Sequence, residues 1–258
     1  MSKLKNITVH RPKSQSLTLE QFCFFLAGLI DADGYINKVG NIVIAFHSRD
    51  IAVAYYIKTR INYGRVSQSI EKNAVTYVCS HPVGKKYICE YIRNKLINPD
   101  RIEQLNTRLV PKITPIITQP DPAILSLQNH WLAGFLQGDG SFQVKLVSKK
   151  NRPKKEVRVV LQIDLKQLRI LEQLKAAIGG YIGYRSLQNT YYYSSVSFER
   201  AAILIEYLDR CQVMGPSLTL YWMWRKCYII IQNKEHLSQK GIDRIAKIKA
   251  QMRKLRLN

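Results

Sequence analysis

The chain has 258 residues, a formal net charge of +22 and 46% hydrophobic residues. That hydrophobic content is enough for packed cores in one large domain or in two domains of about 110–120 residues. The charge favours a polyanionic partner, nucleic acid above all. No run of eighteen apolar residues occurs, and the basic residues are spread over both halves, so we expect no membrane partner.

The first 17 residues form a basic N-terminal arm. Residues 1–16 carry Lys3, Lys5, Arg11 and Lys13 and no acidic residue. A transit peptide needs an apolar helical face, which this stretch lacks, and Pro12 interrupts it. We therefore expect a disordered arm.

Residues 18–109 predict a first subdomain of helices and hairpins. Thr18 and Gln21 match a capping box. The helix that follows is apolar on nearly every side, which is typical of a buried helix, and Gly34 ends it. Predicted helices cover residues 19–32, 50–61, 83–96 and 102–109, and predicted strands cover residues 35–39, 42–47, 65–70 and 75–80.

A proline-rich segment, residues 110–124, follows the first subdomain. It contains Pro111, Pro115, Pro120 and Pro122. Because proline suits neither a helix interior nor a central strand, we expect a stiff extended linker and a domain boundary here.

Residues 125–258 repeat the order of elements and add a C-terminal helix. Predicted helices cover residues 129–138, 167–178, 200–210, 217–232 and 238–255, and predicted strands cover residues 141–147, 156–164, 181–187 and 191–198. A very basic stretch, residues 149–155, joins the first two strands. It predicts a phosphate-binding loop, although a solvated loop without a role is the alternative.

Two segments of the chain are nearly the same. One runs from Phe25 to Ile36 and the other from Trp131 to Phe142. The second segment begins 106 residues after the first. A repeat at this spacing indicates a duplicated small domain. Small residues four apart on a helix allow a second helix to pack closely. These interface residues are Gly28 and Ala32 in the first segment and Gly134 and Gly138 in the second.

Each helical turn ends in Asp-Gly, at Asp33 and at Asp139, and 139 − 33 = 106 residues separate them. Two neighbouring carboxylates repel each other unless a cation lies between them, and Mg²⁺ binds carboxylate, phosphate and water oxygens. This pair therefore suits metal-assisted phosphodiester hydrolysis. For either residue alone, a solvated turn is the alternative. Asp31 is matched by Gln137, so we interpret Asp31 as an interface or supporting residue.

Alternation along the strands places polar side chains on one face of each sheet. Their types bond base edges and phosphates, although any antiparallel sheet with one solvated face shows such alternation. The predicted DNA-contacting residues are Tyr35, Asn37, Arg65, Ser67, Ser69, Ser141, Gln143, Lys145, Arg158, Gln162, Tyr191 and Tyr193, with Lys149, Lys150, Arg152 and Lys154 in the basic stretch.

Residues Leu26 to Gly34 spell LAGLIDADG, and the second copy departs from this motif at Phe135, Leu136, Gln137 and Gly138. The chain resembles the LAGLIDADG homing endonucleases of the single-chain, two-motif type. Residues 224–226 and 233–237 resemble the C-terminal helices of this family, so the resemblance covers roughly residues 18–254. The resemblance implies an α+β fold of two pseudo-symmetric αββαββα subdomains. Their antiparallel sheets would form a DNA-binding saddle, with the paired motif helices at the interface.

The resemblance also implies a monomeric, intron-encoded endonuclease that cuts both strands of a long, weakly palindromic duplex DNA site. Asp33 and Asp139 would be catalytic and would bind Mg²⁺, in sites that Mn²⁺ or Ca²⁺ can also occupy. Arg101 and Ser217 lie roughly where the family has an auxiliary basic residue in each half, and Lys166 and Asp50, at the starts of the middle helices, are the other auxiliary candidates. Family analogy places the protein in an organelle, in the mitochondrion rather than the chloroplast.

Three alternatives stay open. An intron maturase of the same fold would bind its own intron RNA. A noncatalytic module would bind DNA without cutting it. A basic membrane-surface protein ranks far behind both.

Overall fold

The computed structural model describes residues 6–14, 16–113, 124–149, 152–195 and 197–257. By its internal contacts the chain divides into two compact units. The motif unit comprises residues 15–139 and 213–215, and the second unit comprises residues 1–14, 140–212 and 216–258. Both helices that end in Asp-Gly therefore belong to the motif unit.

The motif unit contains six helices and four strands within the described residues. The helices are α1 Leu19–Asp33, α2 Ile51–Ile61, α3 Pro82–Ile92, α4 Pro99–Gln104, α5 Val110–Ile113 and α6 Trp131–Asp139. The strands are β1 Gly34–Ile36, β2 Ile42–His47, β3 Arg65–Ser69 and β4 Ala74–Cys79. A 3₁₀ turn, Ser48–Asp50, leads into α2, and a π-helical stretch, Leu105–Leu109, joins α4 to α5.

The N-terminus of α1 forms the predicted capping box. The Thr18 hydroxyl accepts from the Gln21 N–H at 3.2 Å, and the Gln21 side chain accepts from the Thr18 N–H at 3.0 Å. Phe22, Phe25 and Leu26 of this helix are fully buried. The expectation of a buried, capped first helix is therefore confirmed.

The strands of the motif unit form one antiparallel sheet in the order β1-β2-β4-β3. The register pairs Ile44 with Tyr77 and Phe46 with Val75, and these side chains are buried on the helix-covered face. Alternation then directs the side chains at Tyr35, Thr76 and their neighbours to the opposite, outward face.

Three predicted boundaries in this unit are wrong. β1 ends at Ile36, because Asn37 bonds across a turn to Asn41 in both directions, at 3.0 and 2.9 Å. α3 ends at Ile92 rather than residue 96, and Asn94 takes a positive φ of 54° that interrupts a helix. Residues 110–113 of the predicted linker are helical, with Pro111 in the first turn, where helices tolerate proline. Linker residues 114–123 lie outside the described residues.

The second unit repeats this architecture. Its elements are β5 Ser141–Lys149, β6 Arg152–Leu165, α7 Leu168–Ile178, β7 Tyr181–Arg185, β8 Thr190–Ser194, α8 Phe198–Arg210, α9 Gly215–Gln232 and α10 Gln239–Leu257. Its antiparallel sheet has the order β5-β6-β8-β7, equivalent to that of the first sheet. The predicted α+β class with two matching four-stranded sheets is confirmed.

The basic stretch of residues 149–155 is not the loop that we predict from sequence. β5 extends to Lys149 and β6 begins at Arg152, with these two residues paired across the hairpin. Backbone pairing therefore continues almost to the turn. Lys150 lies outside the described residues, as do the side chains of Lys149, Arg152 and Lys154.

The expectation of a disordered N-terminal arm is wrong for residues 6–14. Ile7 is 6% exposed, and its backbone N–H and carbonyl both bond to the side chain of Gln232, at 2.8 and 2.9 Å. These residues therefore pack on α9 of the second unit. Within the described part of the chain, none of the helices has the length and apolar character needed to cross a bilayer.

Candidate active site

The two motif helices pack against each other with almost no space between their backbones. A β-carbon placed on Gly28 would lie 1.9 Å from the Trp131 carbonyl oxygen, and one placed on Gly134 would lie 1.9 Å from that of Phe25. Further along, Gly138 lies against Ala32. Because the contacts advance in the same direction along both helices, α1 and α6 run parallel and end together.

The Asp33 carboxylate lies at this shared end. A β-carbon on Gly138 would lie 2.5 Å from its Oδ2 atom, so the carboxylate lies against the backbone one residue before Asp139. Asp33 and Asp139 are both half-buried. Neither helix has a basic residue in its last turn. The structure therefore brings the two repeated aspartates to the same helix ends.

The environment of Asp33 disfavours its charged form. The pKa of Asp33 is raised to about 6. Burial is the main cause, the negative charge of Asp50 adds to it, and the guanidinium of Arg101 opposes it. A cation beside Asp33 would offset both unfavourable effects.

Asp50 is a second buried carboxylate of this site. It is 6% exposed and precedes α2, with Arg49 Nε 3.5 Å from its Oδ2 atom and Gln137 Nε2 3.4 Å from its Oδ1 atom. Burial raises its pKa, and the charges of Arg49 and His47 oppose this rise. Asp50 thus connects the start of α2 to the end of α6.

Asp31 binds the chain segment that leads into α4. Its carboxylate accepts from the Ile97 N–H at 2.7 Å, from the Asn98 N–H at 3.2 Å and from Trp131 Nε1 at 3.1 Å. The pKa of Asp31 is raised to about 7 by burial, although these donors lower it. Asp31 therefore fixes α4 and α6 to α1.

Gln137, at the equivalent position of the second motif, also binds a segment that leads into a later helix. Its Oε1 atom accepts from the Met214 N–H at 2.7 Å, and Met214 directly precedes α9. Each motif helix thus offers a side-chain oxygen, two residues before the Asp-Gly aspartate, to the segment that enters a later helix. This shared role explains why a carboxylate and an amide can occupy the same repeat position.

The residues at the helix ends fit a divalent cation. Asp33 ends one of the two motif helices and Asp139 ends the other, and the C-terminal carbonyl ends of two parallel helices add partial negative charge. Among the described residues, no group of three or more His, Cys, Asp or Glu side chains could hold a metal ion. A hard cation here would therefore complete its coordination with water and phosphate oxygens, as Mg²⁺ commonly does.

The auxiliary candidates lie in different places. Arg101, on α4, is close enough to lower the pKa of Asp33, and its Nε atom makes no hydrogen bond to the described residues. Lys166 is exposed in the second unit, between β6 and α7. Ser217 is buried on α9 of the second unit.

The outward face of the first sheet carries most of the residues predicted to contact DNA there. Tyr35, Arg65, Ser67 and Ser69 lie on this face by register and alternation. Asn37 lies in the turn beyond β1. Sequence reasoning missed His47 and Thr76, which share the outward face. The described strand positions on this face include no acidic residue.

The outward face of the second sheet carries predicted DNA-contacting residues on two strands, β5 and β6. Ser141, Gln143, Lys145, Arg158 and Gln162 lie there by register. Val160 lies among them by register, and it is 1% exposed.

The facing that we predict for β8 is wrong. Tyr193 is fully buried, and its hydroxyl donates to the Gly179 carbonyl at 2.8 Å. Tyr191 shares that helix-covered side by alternation, so Tyr192 points outward instead. Arg185 lies 4.9 Å from the centre of the Tyr192 ring and pairs with Asp164 at 2.6 Å. Three consecutive tyrosines carry no alternation signal, which explains the error.

The sequence of the chain is similar to a known protein family and to several known proteins. A profile described as LAGLIDADG endonuclease matches residues 132–228. An "Uncharacterized cox1 intron-2 37.2 kDa protein" of Schizosaccharomyces pombe is 39% identical over 94% of this chain and 76% of its own length. The "Intron-encoded DNA endonuclease ai2b" of Dictyostelium discoideum is 28% identical over 72% of this chain and 71% of its own length. The "Intron-encoded RNA maturase bI4" of Saccharomyces cerevisiae is 26% identical over 69% of this chain and 27% of its own length.

Solved structures share the fold. The I-LtrWI LAGLIDADG homing endonuclease bound to target DNA has a TM-score of 0.72 at 17% identity, covering 90% of this chain and 97% of that one. I-SmaMI bound to uncleaved DNA in the presence of calcium ions has a TM-score of 0.69 at 21% identity, covering 92% of this chain and 99% of that one. With its two motif helices packed in parallel and two matching sheets, the chain belongs to the LAGLIDADG endonuclease family, in its single-chain, two-motif form.

Proposed function

We propose that this protein is a site-specific endonuclease that hydrolyses both strands of a long, weakly palindromic duplex DNA. The observation that supports the proposal is the common end of α1 and α6, where Asp33 ends one helix and Asp139 ends the other. Two equivalent carboxylates suit a substrate with two equivalent scissile phosphates.

Asp33 and Asp139 are the residues that would hold Mg²⁺, with Mn²⁺ or Ca²⁺ as possible substitutes. A bound divalent cation would supply Lewis acidity toward phosphate oxygens and would lower the pKa of water. The raised pKa of Asp33 supports this role, because a carboxylate that is costly to ionise alone gains most from a cation. Arg101, close to Asp33, would add positive charge beside a bound phosphate.

The outward faces of the two sheets would bind the DNA. Arg65, Lys145 and Arg158 provide charge, and the serine, glutamine and tyrosine side chains provide hydrogen bonds to base edges. Each phosphate neutralised adds about 0.9 to the slope of log affinity against log salt. A nearly flat salt dependence would contradict this binding surface. We further propose a monomer that acts in the mitochondrion, by analogy with the relative named for a cox1 intron.

Incubation of the purified protein with linear duplex DNA that carries the uninterrupted intron-insertion sequence tests the proposal. We expect a double-strand break with Mg²⁺ and none with EDTA. Tight binding without scission in Mg²⁺ or Mn²⁺ would instead support a noncatalytic DNA-binding module.

A maturase is the second candidate, and the similarity to the yeast bI4 maturase favours it. A maturase would accelerate splicing of its own intron RNA in vitro. Because the two activities can coexist, the splicing assay is run on both the wild-type protein and Asp33→Asn. Splicing without DNA cleavage by the wild-type protein would replace the endonuclease proposal.

A further inference from the structure

The N-terminal segment, residues 6–14, forms one wall of a basic cavity on α9. Gln232 holds Ile7 through both of its backbone groups. Arg225 donates to the His10 carbonyl at 3.2 Å. The guanidinium of Arg11 then lies 5.5 Å from the centre of the Trp222 ring. These contacts hold the N-terminal segment on α9 and place the Arg11 guanidinium beside this helix.

The cavity has a volume of about 310 Å³. Its polar lining is mainly cationic, from Arg11, Arg225, Lys226 and Arg244, with one carboxylate, Glu235. Two of these cations already have acidic partners: Arg225 pairs with Asp209 at 2.9 Å, and Arg244 pairs with Glu235. Arg11 and Lys226 make no ion pair with the described residues, so the cavity keeps an excess of positive charge.

The cavity lies on the side of α9 that faces away from the sheet. Trp224 and Tyr221 contact Phe142 on the buried side of the sheet, at ring distances of 5.6 and 5.7 Å. Trp222 and Lys226 lie about half a helical turn away from Trp224, on the opposite side of α9, and Asn233 directly follows this helix. The cavity is therefore separated by the helical layer from the strand face that would bind duplex DNA.

We propose that this cavity is a second nucleic-acid site, which binds a nucleotide and its phosphate from a single-stranded polynucleotide. Its volume lies at the lower end of small-molecule pockets, so it admits one nucleotide and excludes a duplex. Arg11 and Lys226 would bind the phosphate, and the Asn233 amide would bond the base. Cationic grooves with planar side chains are the usual means of binding unpaired strands. Binding of a single strand at this cavity does not depend on DNA cleavage.

Fluorescence anisotropy with labelled oligouridylate and with oligothymidylate of equal length tests the proposal, and the two arms separate RNA from DNA as the source of the strand. We expect the wild-type protein to bind at least one of them. Lys226→Glu should weaken binding about tenfold and reduce the salt slope by about 1, as for loss of one phosphate contact. Arg11→Glu should do the same. The matched control is Lys247→Glu, which makes the same charge change at an exposed position of α10 outside the cavity.

Binding of neither oligonucleotide would overturn the proposal, as would equal losses in Lys226→Glu and Lys247→Glu. A competition experiment adds a separate check. Excess unlabelled duplex target should leave the labelled strand bound, and complete displacement would assign the strand to the duplex site instead. Duplex cleavage by Lys226→Glu should match the wild-type rate. If the protein cuts no DNA, the oligonucleotide-binding experiment still tests this site, because it does not measure cleavage.

Discussion

The carbonyl oxygen of Trp131 lies 1.9 Å from the position that a β-carbon on Gly28 would occupy. Backbone cannot yield to such a contact as a flexible side chain can, so Gly28→Ala forces the two motif helices apart. We expect a loss of about 1–3 kcal/mol or more in the free energy of unfolding, as for other overpacked cores. Urea denaturation measures it, with Glu20→Ala at an exposed position of α1 as the control. An unchanged midpoint would contradict the close helix contact.

Asp33→Asn and Asp139→Asn should each reduce cleavage roughly a hundredfold or more, in line with removal of a group that acts at the reacting centre. Both changes keep the size of the side chain, so the fold and DNA affinity should persist. Cleavage of the duplex target under single-turnover conditions, with binding measured in Ca²⁺, separates the two effects. Asp243→Asn on α10 should cut normally. Full activity in Asp33→Asn would refute our site assignment.

The pH dependence of cleavage should reflect the raised pKa of Asp33. A carboxylate must be deprotonated to bind a cation, so activity should fall as pH drops through about 6. An ordinary aspartate would retain activity to about pH 4. Asp50→Asn removes a neighbouring negative charge, which should lower the pKa of Asp33 and move the acidic limb to lower pH. Profiles of cleavage rate against pH for both proteins at fixed Mg²⁺ measure the shift. A limb that moves upward would contradict the role of Asp50.

Two adjacent tyrosines provide a matched pair of variants on β8. Tyr193→Phe removes only the buried hydroxyl bond to Gly179, so it should cost about 0.5–1.5 kcal/mol of stability and leave DNA affinity unchanged. Tyr192→Ala alters the outward face and should weaken DNA binding about tenfold, or about 1.4 kcal/mol. Thermal unfolding and DNA-binding titrations on both variants test the facing of this strand. The reverse pattern would restore the facing predicted from sequence.

Asp31→Asn should destabilise the motif unit although it removes no catalytic group. The carboxylate accepts three N–H groups, and an amide replaces one acceptor oxygen with an N–H₂ group. At least one buried donor then loses its partner, at a cost of about 1–3 kcal/mol. Chemical denaturation in EDTA measures this cost without any contribution from bound metal. Wild-type stability in Asp31→Asn would show that these bonds contribute little.

Local sequence signals predicted most of the elements because their causes are local. The capping box at Thr18 and the alternation in β6 each depend on neighbouring residues. Long-range contacts account for the errors. The N-terminal segment is ordered by Gln232, which lies 225 residues further along the chain, and no feature of residues 6–14 indicates that partner.

The sequence likewise predicts some residues of the candidate site and misses others. The repeat predicts Asp33 and Asp139 as site residues, because equivalent positions in two copies lie at equivalent helix ends when the copies pair. It does not identify Asp50, which has no matching acid in the second half. Nor does it reveal the bonds of Asp31 and Gln137, since side chains with the same role differ in charge.

The bond from Trp131 to Asp31 has a consequence for the ancestry of the chain. The residue at the equivalent position of the first repeat is Phe25, because 131 − 106 = 25, and a phenyl ring has no N–H to donate. A homodimer built from the first half alone would leave Asp31 facing a ring without a donor. The first half therefore depends on the second for this donor to Asp31, which a copy of the first half would not supply.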